Sequence, residues 1–206
     1  MSRLSDILLF LLWIWFLILL PLVMLLRGAF YLGHLGPWLA LVASASVTLL
    51  VLVLYATVVR AWLGFNLTIK ALRAKTIVSG ILLFTYLSYA LIYIPEVNVK
   101  TGNERVEYTA LHPFLRIAVG TWILVDSDLL VTDIARNHGE LPETSSVRSL
   151  HHRQADGYVH AIDLRTIGRM EIRNRLMEIY FRLMGFNTLR HEGTADHLHA
   201  SVPAGL

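Results

Sequence analysis

The sequence of 206 residues contains no cysteine. That excludes disulfides, thiolate-ligated zinc and a thiol nucleophile, and leaves histidine and carboxylate as the strong metal ligands. Charge is also scarce, at 16% of residues, against roughly 25% in an ordinary soluble domain. The shortage is confined to the first half. Up to Pro95 the charged residues are Arg3, Asp6, Arg27, Arg60, Lys70, Arg73 and Lys75, whereas the remainder holds twelve Lys/Arg and fourteen Asp/Glu. The net charge of +3 therefore comes from an apolar region. It is not the one-sided basic face that marks a nucleic-acid partner.

What fills the first half is hydrophobic sequence in long runs. Residues 7–26 are almost unbroken apolar, and Trp38 to Val59 and Thr76 to Ile94 form two further runs. Each is long enough to cross a hydrocarbon core of about 30 Å as a helix. The first is too long for the apolar core of a signal peptide and reads as a retained span, with Pro21 a candidate kink. The small residues Ala43, Ser44, Ala45 and Ser46 suit close helix–helix approach. Between the second and third runs, residues 60–75 carry four basic and no acidic side chains and read as an amphipathic surface segment. The positive-inside rule places that segment, and the N-terminus, in the cytoplasm. Three spans then put everything after Pro95 outside, which in a bacterium is the periplasm.

The second half has ordinary globular composition. Residues 96–112 read as a linker, and a domain is expected over 113–206. In it, 113–125 opens with a short helix, and Leu129 to Asp133 and Ala161 to Leu164 are apolar strands. Residues 166–184 show helical spacing, stopped by Gly185, and a last strand follows near His197. The fold class expected is thus an N-terminal all-α membrane region with three transmembrane helices (about 7–26, 38–59 and 76–94), then a small α+β domain with an antiparallel sheet.

Of nine histidines, seven lie from His138 onward. Near the C-terminus, Glu192, Asp196, His197 and His199 crowd two carboxylates and two imidazoles into one short stretch. Residues two apart on a strand share a face, so His197 and His199 point at one place. A second cluster, 149–164, holds His151, His152, Asp156, His160 and Asp163. A catalytic zinc takes about three His or Asp/Glu ligands with one position open, and the two clusters together supply them. His160 has the wrong strand parity to join Asp163, and reads as a supporting or exposed histidine. His34 and His112 read as non-catalytic.

These residues carry a resemblance. Ser149-x-His151, Ala161-x-Asp163-Leu164 and Asp196-x-x-His199, bracketing a helix, are similar to the zinc D-alanyl-D-alanine carboxypeptidase family within the lysostaphin, D-Ala-D-Ala peptidase and sonic hedgehog group. The segment 130–136 resembles that family's strand ending in a substrate-binding arginine. The resemblance covers roughly 113–203. It implies a sheet carrying Zn2+ on His151, Asp163 and His199, Asp196 as general base, His197 as oxyanion or proton-transfer group, and Arg136 as substrate contact. One departure is the interval from His151 to Asp163, longer than in the family, as though a loop at 154–158 had been inserted. It leaves either His151 or His152 as the ligand, and Glu192 is an alternative base. The implied substrate is a peptidoglycan stem peptide, cut by a peptidase anchored in the bacterial inner membrane. The rival reading is a catalytically silent domain binding cell wall or a partner inside a membrane assembly, of host or phage, or as a homo-oligomer. Three spans exceed what a simple anchor needs, and the lengthened His151-to-Asp163 interval favours this rival.

Overall fold

The computed structural model describes residues 5, 7, 19–64, 68–100, 105–134, 149–193 and 195–204, with the side chains of 105–107 left aside. Most of the first expected span, residues 65–67 and Arg136 lie outside these residues. Helix α1, Leu20–Tyr31, carries Pro21 near its described start, and Leu19 ahead of it already has helical backbone angles. After a 3-10 turn at Gly33–Leu35, Gly36 takes φ 83° and Pro37 opens α2, Pro37–Trp62. Thr68 accepts a hydrogen bond from the Ala71 amide and starts α3, Ile69–Ile92. The separate surface segment expected over 60–75 is therefore corrected. Arg60 ends α2, while Lys70, Arg73 and Lys75 lie in the opening turns of α3, because the Thr68 cap starts the helix ahead of its apolar run.

Among the described residues, two helices, α2 and α3, are long and apolar enough to cross a membrane. Helix α1 packs on α2 through small residues: a Cβ on Gly28 would stand 2.5 Å from Ser44 Oγ, which donates to the Leu25 carbonyl at 2.6 Å.

The stretch expected as a linker is built into the core instead. Glu96–Asn98 is a 3-10 turn, and Asn98 Nδ2 donates to the carbonyls of Ser127 and Leu129. Val99 bridges Val131, and α4, Arg105–Ala110, brings Tyr108 and Leu111 into full burial. Those few apolar anchors sit among polar residues, which is why the segment reads as a spacer. Helix α5, Pro113–Val125, is buried along most of its length. Gly120 lets it lie directly on Ala90 of α3, and Arg116 donates to the carbonyls of Leu111 and Leu91. One continuous apolar core runs from α1 through α5 into the sheet.

The sheet has four antiparallel strands in the order β1-β2-β4-β3: β1 Val131–Asp133, β2 Ala161–Arg165, β3 Asn187–His191 and β4 His197–Ser201. Helix α6, Glu171–Met184, joins β2 to β3 and ends at Gly185 in the left-handed region, φ 110°. Its C-terminal carbonyls at Arg182 and Leu183 accept from Arg27 of α1, a cation placed where the helix dipole favours one. Strand alternation gives the sheet two faces. Ile162, Leu164, Leu198 and Ala200 enter the core. Asp163 and His199, opposite one another in register, take the other face.

Candidate metal centre

Each member of the first expected ligand set comes from a different element. Asp163 sits mid-strand on β2, His199 faces it from β4, and His151 arrives from the turn after Ser149, whose Oγ accepts the His151 amide at 3.3 Å. Three donor atoms close a triangle. His151 Nε2 is 3.4 Å from Asp163 Oδ1 and 3.4 Å from His199 Nδ1, and His199 Nδ1 is 2.8 Å from Asp163 Oδ1. Tetrahedral ligands about 2.0–2.1 Å from a zinc ion stand roughly 3.3–3.4 Å apart. Two edges meet that spacing. The third is a direct hydrogen bond that a metal would open. His151 and Asp163 are 4% and 7% exposed, while His199 is half-buried, so the centre is open on its β4 side.

The His151 ring is aimed by its other nitrogen, which donates to the Ile134 carbonyl at 3.2 Å and lies 4.0 Å from Asp133 Oδ2. That contact leaves Nε2 with a lone pair toward the centre, the usual outer support of a metal-bound imidazole. Burial would raise the Asp163 pKa, but hydrogen bonds from His151 and His199 outweigh it and hold the carboxyl well below the usual range. For His151 burial acts downward, yet the Asp163 contact and the Asp133 charge win and push it up. A dense negative centre facing imidazoles is what a divalent cation would take over. His152 is buried beside this group but is not a member of it.

His197 and Asp196 part company. His197 Nδ1 donates to the Ala195 carbonyl at 2.6 Å, so its neutral ring offers a lone pair on Nε2, 3.7 Å from Asp163 Oδ2. Asp196, expected as the base, is placed otherwise. It stands three residues from His199, an odd interval that on a strand turns to the opposite face. Its carboxylate accepts from Arg190 at 3.2 and 3.0 Å and from Thr166 Oγ1 at 2.5 Å. Arg190 is the main cause of its lowered pKa, and Arg190 is held in turn by Glu171. Glu192 is exposed beyond the end of β3.

Three features were not foreseen. Asp133 supports His151; the signal was its place at the end of an apolar strand. His191, in register with His197, stacks on it with ring centroids 4.8 Å apart. The third is a second potential metal group of His112, Asp156 and His160. His160 is therefore neither exposed nor tied to Asp163: it is buried, and its Nε2 donates to Asp156 Oδ2 at 2.9 Å. Among the described residues, two His/Asp groups could thus hold a metal ion.

No protein-family model, no curated protein and no solved structure matches the chain.

Proposed function

We propose that the chain is a membrane-anchored zinc peptidase that hydrolyses peptide bonds in peptidoglycan stem peptides. The observation that carries this reading is the triangle of His151, Asp163 and His199, drawn from three separate segments to metal spacing at a place reached by solvent. The donor set of two imidazoles and one carboxylate is that of a catalytic zinc with one position left open. The order of Ser149, His151, Asp163 and His199, though not the His151-to-Asp163 interval, resembles the D-alanyl-D-alanine carboxypeptidase family, which supplies the substrate class.

When bound, zinc provides a Lewis acid for the scissile carbonyl and lowers the pKa of water to about 7. His197 is the proton carrier in this reading. Its tautomer is set by the Ala195 carbonyl, so Nε2 accepts a proton from the attacking water and returns it to the leaving amine. Asp196 and Arg190 hold the start of β4, and so His197, in place. Arg165 shares the face of Asp163 by strand parity and is exposed, a cation available to a substrate carboxylate.

The location agrees with the chemistry. The basic residues Arg60, Lys70, Arg73 and Lys75 gather where α2 ends and α3 begins. The domain follows the far end of α3 and touches the far end of α2, where Trp38 Nε1 donates to Tyr158 Oη at 2.8 Å. With α2 and α3 both spanning, the positive-inside rule puts the basic turn in the cytoplasm and the domain beside the cell wall.

Purified full-length protein in detergent should bind zinc, cleave muropeptides and stop doing so on chelation. If His199→Ala leaves zinc content and cleavage unchanged, the proposal is wrong. The engagement of Asp196 by Arg190 and Thr166 favours one rival, a silent cell-wall-binding domain. That reading predicts zinc and muropeptide binding with no product.

A further inference from the structure

We propose that His112, Asp156 and His160 form a second, structural site for a zinc-class divalent ion, which clamps the loop between His151 and Asp163 onto the start of α5. The three residues offer donor atoms within 4.8 Å of one another. His160 Nε2 lies 2.9 Å and His112 Nε2 3.8 Å from the same carboxylate oxygen, Asp156 Oδ2. The second distance is too long for a hydrogen bond. The two distances bracket the roughly 3.3–3.4 Å that separates tetrahedral ligands, so an ion would draw His112 in and push His160 out by about half an ångström each. The other carboxylate oxygen accepts the Tyr158 amide at 3.1 Å, so Oδ2, which here accepts from His160, is the oxygen a metal would take.

The surroundings are built rather than accidental. Both imidazoles are buried, at 2% and 7% exposure, with ring centroids 5.0 Å apart. The loop is sewn to the residues before α5: Val159 donates to the Ala110 carbonyl and His112 to the Val159 carbonyl, both at 2.9 Å. Asp156 and His160 belong to the segment that makes the His151–Asp163 interval long. The inserted loop at 154–158 thus supplies Asp156, His160 follows it, and an ion there would fix the spacing of the first centre's ligands.

Loading has two costs: His160 Nε2 gives up the proton it donates to Asp156 Oδ2, and the second falls on His112. His112 Nδ1 accepts the Phe114 amide at 3.3 Å, which puts the ring proton on Nε2. A metal on Nε2 displaces that proton to Nδ1 or to solvent, and this long cap is given up or kept by an imidazolate. An N/O donor set of this kind suits Zn2+ and neighbouring transition ions rather than Mg2+ or Ca2+.

The test is metal stoichiometry of the full-length protein in detergent, dialysed against Zn2+ alone. Asp156→Asn keeps the turn acceptor for the Tyr158 amide, so it should fold, and it should hold one zinc fewer per chain than wild type. His160→Ala should show the same loss. Zinc should also slow tryptic cleavage at Arg153 in wild type but not in Asp156→Asn. His199→Ala reports on the first centre separately. If Asp156→Asn binds as much zinc as wild type, the second site is overturned, whatever His199→Ala does. If Asp156→Asn loses an equivalent while His199→Ala loses none, the second site stands and the peptidase reading falls.

Discussion

His151 Nε2 and His199 Nδ1 stand 3.4 Å apart, although 48 positions separate them in the chain. Nothing local in the sequence forces two imidazoles together; the antiparallel pairing of β2 with β4 and the turn after Ser149 do. A shared ion would add to the hydrogen bonds that offset the desolvation of these groups with Asp163. Chelation should therefore abolish hydrolysis, and Zn2+ should restore it. Asp133→Ala, which removes the carboxylate behind His151, should weaken zinc binding about 10–100-fold without abolishing it. Competition with a metal indicator checks this. Unaltered affinity in Asp133→Ala would show that the Ile134 carbonyl alone orients the ring.

His197 and Asp196 make opposed predictions. His197→Ala should lower kcat by about 10²-fold or more, the usual loss of a proton-transfer group, and leave zinc content intact. Asp196→Asn should keep most activity and cost about 0.5–1 kcal/mol of stability, as its partners are partly solvent-exposed. Steady-state kinetics beside thermal denaturation separate the two. Should Asp196→Asn abolish turnover while His197→Ala does not, the two roles must be exchanged.

The first centre was legible in the sequence because strand parity and the His/Asp pattern are local signals. His197 and His199 follow from period-two alternation, Asp163 from the resemblance, and Gly185 from its place after α6. The role of Asp196 was not legible. Its spacing from His199 matched a motif, while its actual partners, Arg190 and Thr166, come from β3 and from the turn before α6. The second group was hidden for the same reason. His112 lies outside both histidine clusters and reaches His160 only because the loop docks on the residues before α5. Hydropathy found the apolar runs but not where α3 begins, since the Thr68 cap and basic first turns carry no hydropathy signal.

His112 gives a pH dependence of definite sign. Burial, then the neighbouring His160 and Arg116, lower its pKa from 6.5 to about 3, with Asp156 opposing. The unfolded chain therefore takes up a proton below about pH 6.5 that the native fold refuses until about pH 3. The native state is fully stabilised by this group above the unfolded value. That contribution falls by up to about 1.4 kcal/mol per pH unit as acid is added through the window between. Metal-free His112→Asn, which keeps an acceptor for the Phe114 amide, should lose this part of the acid sensitivity. Denaturation midpoints across pH 4–7 read it; parallel curves for the two proteins would refute it.

Two glycines separate backbone strain from crowding. Gly168 has φ 77° with nothing within 4 Å of an added Cβ, so Gly168→Ala tests the left-handed backbone alone, at about 1–2 kcal/mol. Gly185 has φ 110°, and a Cβ there would lie 2.7 Å from the Phe30 ring. That ring packs edge-on against both Phe114 and Phe186, so it cannot move without opening the junction of α1, α5 and the sheet. Gly185→Ala should therefore cost about 1–3 kcal/mol more than Gly168→Ala, the range for overpacking a filled core. Gly185→Ala with Phe30→Leu should recover part of that excess, because the smaller side chain vacates the ring's position. Equal losses in the two single variants, measured by chemical denaturation in detergent, would mean that α1 does not press on the domain in solution.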